Sequence, residues 1–236
     1  MTTTLERNVG SPDQKTIQSF FDSIPERYDF LNSFLSLRLD RYWRKRLITL
    51  ALSGKPKSIL DIGVGTGTSL DSFLKSQNFN LAVGCDFSQG MLKVAKERFG
   101  NLSLIGADLH SLPFADESFD LVTSSFVLRS VKQMDQFLLG VKRILSPGGR
   151  FAFLDLTRPT NFYFWNLCYK PYLNIYLPLV GKMCSGNQNA YQFLSKSIQV
   201  FIDPERLKSQ MESAGFKNVK IKRLTFGAAT IYSGEK

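Results

Sequence analysis

The sequence predicts an α/β fold: a seven-stranded, doubly wound and mostly parallel sheet that ends in an antiparallel hairpin. Three observations predict it. From Ser58 onward, short apolar runs alternate with segments of helical spacing, as in βαβ units. The first of these runs breaks into glycines at every second position, in "DIGVGTGTS". The chain closes on "KNVKIKRLTFGAATIYSG", which reads as an antiparallel hairpin at the sheet edge.

The elements follow in order. Residues 1–15 show no apolar periodicity and are expected to be disordered, leaving 16–236 as a single domain. Residues 16–57 read as two or three N-terminal helices interrupted at Pro25. "SILDIG" is a buried strand, "TSLDSFLKSQ" a helix and "LAVGCD" a second strand. "SQGMLKVAKERFG" is a helix with Ser88 as N-cap and Gly100 as its stop. "LSLIGAD" and "FDLVTSSF" are strands, "MDQFLLGVKRIL" a helix closed by "SPGG", and "RFAFLDLT" another strand. An aromatic-rich helical insertion over 159–195 interrupts the alternation. A helix capped by Asp203, "PERLKSQMESAGF", then leads to the edge hairpin.

Composition narrows the classes. Thirty Lys and Arg against 20 Asp and Glu give a formal charge of +10, which suits a polyanion or an anionic membrane surface as well as plain solubility. Cys85, Cys168 and Cys184 have no CxxC spacing, so neither a disulfide framework nor a metal site is expected, and a reducing cytoplasmic compartment is. The N-terminus has no apolar core typical of a secretory signal. The most apolar segment, from Phe162, is broken by Lys170, Pro171 and Pro178, short of the roughly 20 residues a spanning helix needs.

In a doubly wound sheet, ligands bind at the carboxyl ends of the strands. Gly63, Gly65 and Gly67 lie in the loop after the first strand, where missing side chains permit positive φ and close approach of a ligand. Their spacing is GxGxG rather than the GxGxxG of a dinucleotide cradle. Asp86 falls at the tip of the second strand, where a carboxylate can take both ribose hydroxyls, and Asp108 at the tip of the third, within reach of an adenine amine. The three loops converge on one nucleoside.

This loop set, DxGxGTG, an acid after the second strand and "AD" before "LPF", resembles the class I S-adenosylmethionine-dependent methyltransferases. "FFDSIPERYDFLNSFLSLRLDRYW", "LPFADESFDLVTSSFVLRSV", "RILSPGGRFAFLDLTRP" and the tail from Met211 further resemble the demethylmenaquinone and ubiquinone-precursor C-methyltransferase family, over residue 16 to the end. The resemblance implies S-adenosyl-L-methionine as cofactor, with Asp61 and Gly63 near its methionine part. Gly65, Thr66 and Gly67 of the loop, Asp86 with Phe87, the pair Asp108 and Leu109, and Ser125 would supply the remaining contacts. It places the quinol among Tyr28, Asn32, Trp43 and Arg129. The chain departs from the family pattern at Asp40, Thr68, Ser130, Asp155 and Thr157.

The implied chemistry needs a phenolate. A phenol's pKa is about 10 and an ordinary carboxylate's near 4, a gap of about six units or on the order of 8 kcal/mol. A cation beside the phenolate narrows it, which nominates Arg129, while Asp155 is either the base or the group that orients it. His110, the single histidine, lies in the expected adenine loop and reads as a turn residue. The expected partners are a prenylated quinol and, through the aromatic insertion and the basic run "RLDRYWRKR", an anionic membrane met peripherally; a homodimer is compatible, and nucleic acid is not expected. Competing readings are a methyltransferase for another small hydrophobic acceptor and a non-catalytic binder of the cofactor.

Overall fold

The computed structural model describes residue 33 and residues 36–176 and 195–236. The expected disordered start and most of the N-terminal helices lie outside the described residues, as does the second half of the insertion. Within the described part, helix α1 (Leu39–Ala51) leads through a 3-10 turn (Leu52–Gly54) to β1 (Ser58–Ile62). Then follow α2 (Thr68–Ser76), β2 (Leu81–Asp86), α3 (Gln89–Arg98), β3 (Ser103–Gly106) and β4 (Phe119–Ser125). A short 3-10 turn (Leu128–Ser130) precedes α4 (Met134–Ile144) and β5 (Leu145–Leu156). The chain ends with α5 (Pro204–Ser213), β6 (Lys217–Leu224) and β7 (Ala229–Glu235).

These strands form one sheet in the order β3-β2-β1-β4-β5-β7-β6. Strands β1 to β5 pair in parallel, and β7 pairs antiparallel with both β5 and β6. The central strands are apolar on both faces. Ile59 packs with Trp43, Leu47 and Leu70 on one side, whereas Leu60 and Ile62 pack with Phe137, Val141 and Met211 on the other. This double burial is why a parallel strand reads as an unbroken apolar run.

Side chains pin the register of β1 against β4 at both ends. At the amino end, Asp120 accepts from Lys57 N and Ser58 N at 2.8 and 3.0 Å while its own amide donates to Ser58 Oγ. At the carboxyl end, Thr123 Oγ1 donates to Asp61 Oδ1 at 2.7 Å and Ser124 Oγ donates to the Ile62 carbonyl. The two expected caps form, with Ser88 Oγ accepting from Met91 N and Asp203 Oδ1 from Glu205 N.

One boundary differs from the expectation. "SPGG" is not a loop after α4 but the start of β5, where Phe119 pairs with Leu145 and the ladder resumes only at Leu121 and Arg150. Gly148, at φ +73°, takes up that irregularity. The described half of the insertion is π-helical, over Phe164–Tyr169 and Tyr172–Tyr176. This wider winding stacks Phe164 on Tyr169, Tyr169 on Tyr172 and Tyr172 on Tyr176, with centroids 6.1, 5.9 and 5.5 Å apart.

Candidate active site

The strand order reverses beside β1, with β2 on one side and β4 on the other, and the carboxyl ends there frame an open cleft. Its wall is Gly63, Val64, Gly65, Thr66 and Thr68 of the glycine loop, completed by Arg44 and Ser69, by Asp86, Phe87 and Met91, by Leu109, and by Ser125, Phe126, Val127 and Ser130.

The loop is held from behind by the backbone. The Gly63 and Val64 amides both donate to the Cys85 carbonyl, at 2.8 and 3.0 Å. Asp86, 6% exposed, ties the elements together: Oδ2 accepts from Gly65 N at 2.8 Å and Oδ1 from Ser88 N at 2.9 Å, while its carbonyl accepts from Ala107 N. One residue thus joins three segments: its carboxylate holds the glycine loop and the start of α3, and its carbonyl holds the loop after β3.

The three loop glycines have different reasons. All three have positive φ, +67°, +55° and +84°. A Cβ on Gly63 would come within 2.3 Å of Val127 Cγ2, and one on Gly67 within 2.8 Å of Leu102 Cδ1. A Cβ on Gly65 would meet nothing within 4 Å. Gly63 and Gly67 are therefore demanded by packing, and Gly65 alone keeps backbone bare toward the open cleft.

Of the residues expected to meet a cofactor, Gly63, Gly65, Thr66, Asp86, Phe87, Leu109 and Ser125 line the cleft. Asp61 lies behind it, 1% exposed, and burial raises its pKa to about 6 against the lowering effects of the Thr123 hydrogen bond and the Arg44 charge. Gly67 caps α2 rather than facing the cleft. Asp108 is exposed and accepts from the His110 amide at 2.9 Å, with His110 Nδ1 at 3.0 Å from the same oxygen. The Gln133 amide donates to His110 Nε2, which assigns the proton to Nδ1 and makes this ring a link between two loops.

Of the four residues expected around a quinol, Tyr28 and Asn32 lie outside the described residues. Trp43 is buried in the core, its Nε1 donating to Thr225 Oγ1 at 2.8 Å, and reaches the cleft only through Phe126, at a centroid distance of 6.4 Å. Arg129 and Asp155 meet each other. Asp155, fully buried at the end of β5, accepts from Arg129 Nε, from Arg129 N at 3.1 Å and from Leu156 N at 2.7 Å. The rest of the guanidinium donates to Ser197 Oγ and the Phe126 carbonyl.

Sequence reasoning missed Arg44, Ser69, Phe126 and Val127 as cleft residues. Arg44 belongs to the basic run read as a surface; its neighbours Arg38, Arg41 and Lys45 are exposed, but Arg44 turns inward and donates to Ser69 Oγ. Its spacing of four from Asp40 was the available signal.

The wall fits a nucleoside carrying a polar tail. Asp86 offers acceptors between apolar Phe87, Met91 and Leu109 on one side and the hydroxyls of Ser69, Ser125 and Ser130 on the other, with bare backbone at Gly65. The model of the ubiE/COQ5 methyltransferase family matches residues 9–236. The chain belongs to this family. As a ubiE/COQ5 methyltransferase it uses S-adenosylmethionine as methyl donor, and the donor set just described suits that molecule. Similar relatives include the demethylmenaquinone methyltransferases of Thermotoga maritima, 36% identical over 96% of this chain and 99% of that one, and of Thermus thermophilus, 39% identical over 92% and 99%. Solved methyltransferases share the fold. An S-adenosylmethionine-dependent enzyme of Thermotoga maritima has a TM-score of 0.66 at 21% identity over 93% of this chain and 99% of that one. Phosphoethanolamine N-methyltransferase 2 of Haemonchus contortus, solved with S-adenosyl-L-methionine, has 0.56 at 16% over 76% and 48%.

Proposed function

We propose that this methyltransferase methylates a ring carbon of demethylmenaquinol to give menaquinol. The observation that carries the reading is the similarity to demethylmenaquinone methyltransferases over 99% of the length of each of the two relatives named. The cofactor, when bound, supplies an electrophilic methyl group on a sulfonium. Everything else falls to the chain's own residues.

Asp86 takes the ribose hydroxyls, and Leu109 with Phe87 and Met91 covers the base. Asp108 adds a polar contact at the exposed edge of the adenine site, Thr66 and Ser125 bond along the chain, and Asp61 and Gly67 support the loop from behind. Tyr28 and Asn32 complete the quinol side, and Trp43 backs it from behind Phe126.

A quinol carbon becomes nucleophilic when its neighbouring hydroxyl loses a proton, and Arg129 lowers the cost by holding positive charge beside the oxygen. Asp155 already accepts three hydrogen bonds and is sealed from solvent, so its part is to orient Arg129 rather than to take the proton. Transfer forms one carbon–carbon bond, breaks the carbon–sulfur bond and releases the ring proton.

The enzyme works in the cytoplasm, attached peripherally to the membrane that holds its prenylated substrate, as a single chain or a homodimer; no described helix is long and apolar enough to cross a bilayer. The stacked aromatic column from Phe164 to Tyr176, continued by exposed Phe226 at a centroid distance of 5.0 Å from Phe164, supports an apolar route for the tail. A ubiquinone precursor is the second ring the same chemistry would accept.

The test is transfer of a labelled methyl from S-adenosylmethionine to chemically reduced demethylmenaquinone with a short prenyl tail, beside Asp86→Ala and Arg129→Lys. Transfer by the parent, lost in Asp86→Ala together with cofactor binding and reduced in Arg129→Lys with binding kept, supports the reading. Intact cofactor binding without transfer to any quinol would sink it. Pelleting of the parent with anionic vesicles at low salt tests the attachment.

A further inference from the structure

We propose that Arg44 is the anchor for the carboxylate at the amino-acid end of the methyl donor. The inference rests on the cofactor of the family and does not depend on the quinol. The cleft has two unlike ends. Toward β2 and β3 its wall is Asp86, Phe87, Met91 and Leu109, suited to a ribose and a flat apolar base. Toward β4 and α1 it is Arg44, Ser69, Ser125 and Ser130, with the bare Gly65 backbone between the two ends. A molecule seated with its ribose at Asp86 sends its chain along that backbone to the second end.

Among the residues lining the cleft, Arg44 is the one cation, and its side chain is only 14% exposed. It is held as a rigid fork. The guanidinium lies over the Phe126 ring, 5.0 Å from the centroid, and donates to Ser69 Oγ, which in turn donates to Ser125 Oγ at 3.2 Å. Ser69 stands in the first turn of α2, whose amide dipoles add positive potential.

The fork is nevertheless incomplete. Arg44 Nε is buried without a hydrogen-bond partner among the described residues, and the carboxylate of Asp40, its i−4 neighbour, stops 4.0 Å away. Asp40 Oδ1 itself accepts from Ser36 Oγ at 3.0 Å, which keeps the acid turned from full pairing. A guanidinium held at one end by a hydroxyl pair and with a buried Nε left without a hydrogen-bond partner among the described residues is suited to a planar carboxylate arriving from the cleft. A cofactor without that carboxylate gains nothing from it.

Calorimetric titration with two probes separates this role from general damage to the cleft. S-adenosylhomocysteine has the amino-acid end, and 5′-methylthioadenosine lacks it. Arg44→Met keeps an apolar stem over Phe126 and should weaken S-adenosylhomocysteine about 30-fold or more, the range of a charge-assisted hydrogen-bonded pair. It should change 5′-methylthioadenosine by less than about 3-fold, the scale of a neutral contact. Arg44→Lys should fall between, since it restores the charge without the fork. Equal losses for both probes, or none for either, would overturn the proposal. Should the variants unfold, the parent itself answers: the carboxamide of S-adenosylhomocysteine should bind more weakly than the acid by a similar factor, and equal affinity would refute the anchor. These readouts involve no methyl transfer, so a failed quinol assay leaves them standing.

Discussion

The tips of β2 and β5 each carry an aspartate, and the two do opposite things. Asp86 is held by the Gly65 and Ser88 amides at the wall of the cleft. Asp155 is fully buried and held by the backbone and guanidinium of Arg129. Asp86 keeps its carboxylate at the wall of the cleft, whereas the Asp155 carboxylate is turned onto a cation inside the protein. The same topological position therefore yields a ligand-facing acceptor in one case and an internal brace in the other. What decides is the donor: amides of a turn cannot move away, but an arginine can be removed by one substitution.

That difference predicts the largest effect. Arg129→Leu leaves the Asp155 charge buried without its partner and should cost about 3–5 kcal/mol of unfolding free energy. Urea titration of Arg129→Leu against the double variant with Asp155→Asn checks it, because the double variant should recover most of the loss. A loss below about 1 kcal/mol in the single variant, the range of an exposed pair, would erase the contrast between the two tips.

Asp61 sharpens the comparison from a third tip, that of β1. Its pKa is raised from 3.8 to about 6 by burial, so the folded protein holds the proton more tightly than the unfolded chain. Stability then falls as pH rises from about 4 to about 6, and the cost is complete above that window. Asp61→Asn keeps an acceptor for Thr123 Oγ1 and should gain stability over the parent between pH 4 and pH 7.5, on the order of 3 kcal/mol at most. Urea midpoints at both pH values measure it; an equal difference at the two would contradict the assignment.

Within the loop, Gly63→Ala should be more destabilising than Gly65→Ala by about 1–3 kcal/mol, because both accept a strained φ but the first also drives a Cβ into Val127. Thermal unfolding of the two variants decides it. The smallest effect belongs to His110. Its bond to Asp108 is on an exposed turn, so His110→Ala should keep most methyl transfer and change stability by about 0.5 kcal/mol or less. A hundredfold loss of activity would move this turn into the chemistry.

Much of the fold was legible because it depends on local periodicity. The apolar run at Ser58, the caps at Ser88 and Asp203 and the final hairpin each report a nearby backbone state, and each forms as read. "SPGG" misled for a local reason as well: glycine and proline mark a turn, yet a neighbouring strand drew these residues into an irregular β5. The cleft was legible where strand-end loops build it, at Gly63, Gly65, Thr66, Asp86, Phe87, Leu109 and Ser125.

By itself, then, the sequence determined the βαβ order, the glycine loop and the acids that follow it, because spacing of one or a few residues dictates backbone conformation. Only the tertiary structure decided which charges face inward. Arg44 lies 25 residues from Ser69 and Arg129 lies 26 from Asp155, so the partners that fix these two side chains lie outside the window of one helix or strand. Desolvation and partner geometry are properties of the packed chain, and they turn one basic residue toward the cleft and lock another against a buried carboxylate.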